Sequence, residues 1–289
     1  MPNPPVAAPP LSRRTALAGL GVGALGLTLA AVGRVGLAQE ASPGATPEPD
    51  FVALFDGTAA SFADWKPTGA GRFELIDGTI TTGSNTGNFD ELALLYYAPR
   101  PFGDFVLRLQ FRIADPGDNS GVFVRFRDLN TPIPAAELAA ADAATLFPNR
   151  GDYANPLFVA ADTGFEAQIN GSAELTSDSS RDDTGALWNI PIGTGPGQQD
   201  YQPAPPLRLG EWTEMEIGVV GDTYTVRLNG QQTTTYTNPE PRRGRSPSED
   251  PHSGYIGLQT IPFTTGHVDF RTIRIRELPA AGGAATPVS

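Results

Sequence analysis

Between Asp104 and Ile113 the chain alternates, with Phe105, Leu107, Leu109, Phe111 and Ile113 on one side and Arg108, Gln110 and Arg112 on the other. A period of two marks a strand with one buried face. The same period recurs over residues 121–127, 165–169, 212–219, 223–228, 231–237 and 255–260. Asp77-Gly78, inside a hairpin over residues 73–82, and Asn229-Gly230 supply the paired positive φ angles that two-residue hairpin turns need. In residues 267–277, Val268 and Phe270 lie in one phase and Ile273 and Ile275 in the other. Because a one-residue slip reverses the faces, this predicts a β-bulge near Arg271 and Thr272. Residues 134–147 break the pattern, with strong helix formers between prolines, and predict a short helix on an excursion over residues 130–163. The expected fold is all-β: two packed antiparallel sheets with one short helical insert. The 33 Gly and 28 Pro suit short strands joined by turns.

The ends of the chain read differently. Ser12-Arg13-Arg14-Thr15 places a twin arginine before a mildly apolar run over residues 15–33, and Gly36-Leu37-Ala38 offers small residues for cleavage. Residues 1–38 are therefore expected to be a twin-arginine signal peptide, and the remainder to be periplasmic, cell-surface or extracellular. The absence of Cys fits a domain exported already folded. Residues 39–50 read as a flexible linker rich in Pro, Ala and acid, residues 51–278 as one domain, and residues 279–289 as a disordered tail. The formal charge is −12; without the three Arg of residues 1–38 it is 17 − 32 = −15. Such a chain repels phosphate backbones, so nucleic acid is excluded as a partner, and no membrane contact is expected after cleavage.

Polar residues cluster with aromatics on three of the strands. In residues 121–127, Val122, Val124 and Phe126 are expected to face the core, with Phe123, Arg125 and Arg127 facing away. Glu166 and Gln168 share the polar face of their strand, and Gln259 stands in the same relation to Ile256 and Leu258. If these strands are neighbours, Arg125, Glu166, Gln168 and Gln259 line one surface beside Phe123 and Trp188. A sugar packs its C–H faces on aromatic rings and pairs its hydroxyls with planar polar groups. The alternative is a solvent-facing sheet held by an Arg–Glu cross-strand pair.

The chain resembles the 3-keto-disaccharide hydrolases, also described as 3-keto-glucoside lyase/hydratase domains. The resemblance runs through Leu54-Phe55-Asp56-Gly57 with Trp65, Asn119-Ser120-Gly121 with Phe123 and Arg125, and Phe165-Glu166-Ala167-Gln168. It continues through Thr184-Gly185-Ala186-Leu187-Trp188, Gly210-Glu211-Trp212, Leu228-Asn229-Gly230, Gly257-Leu258-Gln259 and Phe270-Arg271-Thr272-Ile273. Each piece is weak alone; their order and spacing are specific. Asn170 departs from the pattern, standing where the family often has Asp. The resemblance implies a concanavalin A-like jelly roll that acts on 3-keto-glycosides. In such a sugar the ketone acidifies the proton on C2, a base forms the enolate, the C1 substituent leaves, and water adds back. That chemistry needs a base, a stabiliser for the enolate oxygen and an acid for the leaving oxygen.

Glu166 is the expected base, since a carboxylate on a partly apolar face has reason for a raised pKa. Arg125 is expected to hold the developing oxyanion. Asn119, Gln168 and Gln259 would orient hydroxyls, with Phe123 and Trp188 as stacking rings. His252, in a loop over residues 246–253, and His267, opening the last long strand, are the candidate acids. Two His exclude a three-His zinc site. No cofactor is certain, although a divalent cation such as calcium could sit on Asp115, Asp118 and Asn119 or on residues 178–183. Glu211, Glu214 and Glu216 read as a solvated edge. No Gly-x-Ser-x-Gly elbow, phosphate-cradling loop or Cys nucleophile is present, and Lys66 is the only lysine. The competing function is a non-catalytic carbohydrate-binding jelly-roll module.

Overall fold

The computed structural model describes residues 50–83, 92–133, 155–171, 183–203, 205–239, 253–261 and 267–279. The chain divides into a unit of residues 1–44 and one of residues 45–289, and every described residue lies in the second. The expected signal peptide, the helix predicted over residues 134–147, His252 and the tail beyond residue 279 fall outside the described residues.

Two antiparallel sheets pack face to face. The larger contains β1 (Val52–Phe55), β3 (Arg72–Ile76), β4 (Thr79–Gly83), β6 (Phe105–Ile113), β9 (Asp200–Tyr201), β10 (Thr213–Val220), β11 (Thr223–Leu228), β12 (Gln231–Thr237) and β14 (Val268–Glu277). Its order is β3-β4-β14-β6-β10-β11-β12-β9, with β1 also on β14. The smaller contains β2 (Trp65–Thr68), β5 (Ala93–Tyr97), β7 (Asn119–Phe126), β8 (Phe165–Asn170) and β13 (Tyr255–Thr260), in the order β2-β5-β13-β7-β8. This is the expected all-β jelly roll. The β6 alternation is realised residue by residue, with Phe105, Leu107, Leu109, Phe111 and Ile113 all buried and the intervening residues half-buried.

Both short turns behave as their sequences require. Asp77 and Gly78 take φ of 47° and 75°, and Asn229 and Gly230 take 48° and 81°. The bulge in β14 is present. The β14–β6 register shifts between Arg271 and Arg274, Thr272 has φ of 53°, and Val268, Phe270, Ile273 and Ile275 all reach the inter-sheet core.

Two helices are described: α1 (Ala59–Phe62) and α2 (Pro156–Thr163). The second was not apparent in the sequence, since Val159 and Thr163 are weak helix formers. Its start is nonetheless encoded: Asn155 caps the Leu157 N–H through its side chain, with Pro156 in the first turn. Leu157, Ala160 and Ala161 pack with Leu92, Leu94, Phe123 and Phe126 in a second apolar cluster, on the far side of the small sheet from the main core.

Ahead of α1, the Asp56 carboxylate accepts from the Ser61 hydroxyl at 2.6 Å and the Thr58 hydroxyl at 2.7 Å. These bonds, with the Thr58 N–H, hold its pKa down from 3.8 to about 2. A depressed carboxylate pKa contributes stability above the unfolded value and loses it as pH falls through the folded one. Asp56→Asn is therefore expected to lower the melting temperature at neutral pH. The gap to wild type should close as pH falls from 3.8 towards 2, and a gap unchanged over that range would refute the assignment.

Candidate functional site

The small sheet sends Val122, Val124, Phe165, Ala167, Ile169, Ile256 and Leu258 into the inter-sheet core. The alternate positions therefore face outward, and register aligns them in rows. Phe123 stands opposite Glu166 on one side and Gly257 on the other. Gly121 stands opposite Gln168, and Asn119 opposite Asn170. On β13, Gln259 pairs with Leu94 of β5. Leu258 pairs with Val122, which brings Gln259 beside Gly121.

Residues 185–188 extend the edge beyond β8. Gln168 N–H donates to Ala186 O and Gly185 N–H to Gln168 O, while Trp188 N–H donates to Glu166 O at 2.9 Å. Leu187 points inward with Ala167, so half-buried Trp188 shares the outer face with Glu166. The structure therefore brings Glu166, Gln168, Gln259 and Trp188 to one face of the small sheet. Glu166, Gln168 and Gln259 are 5%, 4% and 6% exposed, so three polar groups sit in a nearly closed environment. Gln259 Oε1 and Asn119 Oδ1 are buried with no hydrogen-bond partner among the described residues. An unsatisfied buried acceptor costs about 1–3 kcal/mol, a cost that a ligand hydroxyl would remove.

Two expected members do not reach this site. The β7–β13 register runs Tyr255 to Phe126 and then Ile256 to Val124, leaving Arg125 as a bulge residue with φ of 59°. The bulge takes Arg125 off the Glu166 face. Its Nε donates to Gly103 O at 3.0 Å and its Nη2 to Asp104 Oδ1 at 2.8 Å. The Arg125 side chain is fully buried and that of Asp104 is 4% exposed, so Arg125 ties the small sheet to the start of β6 and does not meet ligand. The same slip corrects Phe126, which packs with Phe123 in the second cluster and not in the main core. Phe123 is itself 1% exposed and lies in one apolar cluster with Leu157, Ala160 and Ala161 of α2, so it is covered and cannot stack on a sugar. Trp188 is the ring that remains.

Other candidates lie elsewhere. His267 is on the large sheet, its Nε2 3.8 Å from Asp269 Oδ1. Glu214 and Glu216 are not at a solvated edge. β10 lies between β6 and β11, Glu216 pairs with Arg108 at 2.6 Å and Arg227 at 3.1 Å, and Glu214 pairs with Arg274 at 3.5 Å. On the same sheet Trp212 is covered by Arg271 and Arg112, 4.0 and 4.6 Å from its centroid. Burial, and after it the neighbouring Arg112 charge, lowers the Arg271 pKa. Asp118 Oδ2 accepts the Ala114 and Asp115 N–H groups, and Asp115 Oδ1 accepts the Gly117 N–H, so both carboxylates brace the β6–β7 turn. The described residues gather no group of three or more His, Asp or Glu suited to a metal.

A family model described as a 3-keto-alpha-glucoside-1,2-lyase-like domain matches residues 50–276, the whole sandwich. The chain belongs to this family. Among solved structures, a Parabacteroides distasonis protein provisionally described as a glycosyl hydrolase is 15% identical, with a TM-score of 0.51 over 80% of this chain and 94% of that one. A second such protein from the same organism is 21% identical, with a TM-score of 0.45 over 74% and 99%. A carbohydrate-binding module, CBM66 of Bacillus subtilis, is 11% identical, with a TM-score of 0.39 over 74% and 96%. No curated protein matches the sequence. At 15% identity the first of these likenesses speaks to fold alone, and the 3-keto-glucoside-lyase-like assignment rests on the family match.

Proposed function

We propose that the protein cleaves 3-keto-glycosides outside the cytoplasm, with Glu166 as the base. The observation that carries this reading is the placement of one carboxylate, Glu166, against the β7 backbone at Gly121, with the Gln168 and Gln259 amides on the flanking strands and Trp188 beside it. The family match supports a 3-keto-glycoside as the substrate class.

In the proposed sequence Glu166 takes the C2 proton, and the C–H electrons become the enolate of the C3 ketone. The amide N–H groups of Gln168 and Gln259 replace Arg125 as donors to the enolate oxygen, a role that side-chain amides can fill. Collapse of the enolate breaks the C1–O bond, and protonated Glu166 returns its proton to the departing oxygen. The ring is left as a 2-hydroxy-enone, to which water adds, hydroxyl at C1 and proton at C2. The net change is hydrolysis. Asn119 Oδ1 and Gln259 Oε1 accept sugar hydroxyls, and Trp188 covers a C–H face.

The test is incubation of the protein with 3-keto-trehalose or 3-keto-lactose, following released glucose and the unsaturated intermediate by NMR. Release of both is the expected result. Measurable binding with no turnover would replace this reading with a non-catalytic carbohydrate-binding module.

A further inference from the structure

Gly121 is an anomaly in its strand. β7 is buried on both faces from Ser120 to Phe126, and a glycine there forgoes packing and weakens the strand. Backbone conformation does not call for it, because Gly121 is absent from the glycines with positive φ. Space does. A Cβ built on Gly121 would overlap Glu166 Oε1 and lie 2.6 Å from both Cδ and Cγ of the same side chain. The three nearest atoms all belong to Glu166. Gly257, two strands from β8 on the same sheet, gives the contrast: a Cβ there meets the Phe126 ring at 3.4 Å and Leu95 O at 3.5 Å, which is ordinary contact.

We infer that Gly121 is the positioning residue of this site, its missing side chain giving the Glu166 carboxylate a seat against the strand between Gln168 and Gln259. The inference rests on the reading of Glu166 as base and extends it. From its own strand Glu166 would otherwise stand up from the sheet; the gap at Gly121 lets it lie sideways across β7. There the carboxylate approaches substrate from the floor of the site, with an amide on either hand. A methyl group at residue 121 would lift it by an ångström or more, and a misplacement of about 1 Å can cost roughly 100-fold in rate.

The experiment compares Gly121→Ala, Gly257→Ala, Glu166→Ala and the double variant Gly121→Ala/Glu166→Ala in the full-length protein. Turnover of a 3-keto-glycoside and melting temperature are both measured. Gly121→Ala is expected to lower kcat by roughly 100-fold with KM within a few-fold of wild type, and to lower the melting temperature. In the Glu166→Ala background the same methyl enters vacated space, so the double variant should melt no lower than Glu166→Ala. Gly257→Ala should match wild type in both measurements. Wild-type kcat in Gly121→Ala, or an equal melting penalty in both backgrounds, would overturn the inference. If wild type turns over no 3-keto-glycoside, the functional reading fails, while the melting comparison still decides whether Glu166 occupies the space at residue 121.

Discussion

Glu166→Gln is expected to reduce turnover of a 3-keto-glycoside by roughly 10²- to 10⁴-fold, the contribution of a positioned general base. The substitution keeps the shape that lies over Gly121 and removes the ability to accept a proton from carbon. Binding should be largely retained, because the amides of Gln168 and Gln259 and the Trp188 ring are untouched. The cleanest readout is exchange of the C2 hydrogen in deuterated water, which isolates the first step from loss of the C1 substituent. Wild type should exchange C2 and release product; Glu166→Gln should do neither while still binding the sugar. Full exchange in the variant would move the base to another group, with His252 and His267 next in line. His267 is already disfavoured by its place on the other sheet beside Asp269.

What the sequence made legible follows from where period two carries information. On β6 one phase is wholly apolar and the other polar except for Val106, so the faces could be assigned. On β14 the slip from Phe270 to Ile273 showed in the apolar phase itself, and the bulge falls there. On β7 both phases are apolar, with Val122, Phe123, Val124 and Phe126 consecutive or nearly so, because α2 covers the second face. A strand buried on both sides shows no phase change when it slips, and the bulge at Arg125 was invisible for that reason. The error passed directly into the site: uninterrupted alternation puts Arg125 beside Glu166, while the bulge sends it to Asp104. Glu166, Gln168 and Gln259 share a face, as alternation alone implies, because the registers of β8 and β13 are regular where they stand. The one sign of Gly121's role was a glycine in mid-strand, which sequence alone cannot separate from a bulge or a turn.

The reassignment of Arg125 makes the second large prediction a structural one. Arg125→Met is expected to destabilise the fold by about 3–5 kcal/mol, the cost of removing one partner from a buried ion pair and leaving the other charge behind. For a domain of this size that is roughly 6–20 °C in melting temperature. The charge left is Asp104, whose Oδ1 also accepts the Gly221 N–H at 2.9 Å. A second change should therefore relieve most of the loss: in Arg125→Met/Asp104→Asn the buried charge is gone, and the amide oxygen can still accept from Gly221. Kinetics separate the two roles. If Arg125 only joins the sheets, the stabilised double variant turns over substrate at nearly the wild-type kcat, measured well below its melting temperature. If the guanidinium held the enolate oxygen, restoring stability would leave kcat low, and the bulge would have to open during turnover to bring Arg125 to the Glu166 face. The full burial of Arg125 and its hydrogen bond to the Gly103 carbonyl favour the first outcome. Opening would break that bond and the ion pair together, and would leave the buried Asp104 carboxylate without the guanidinium.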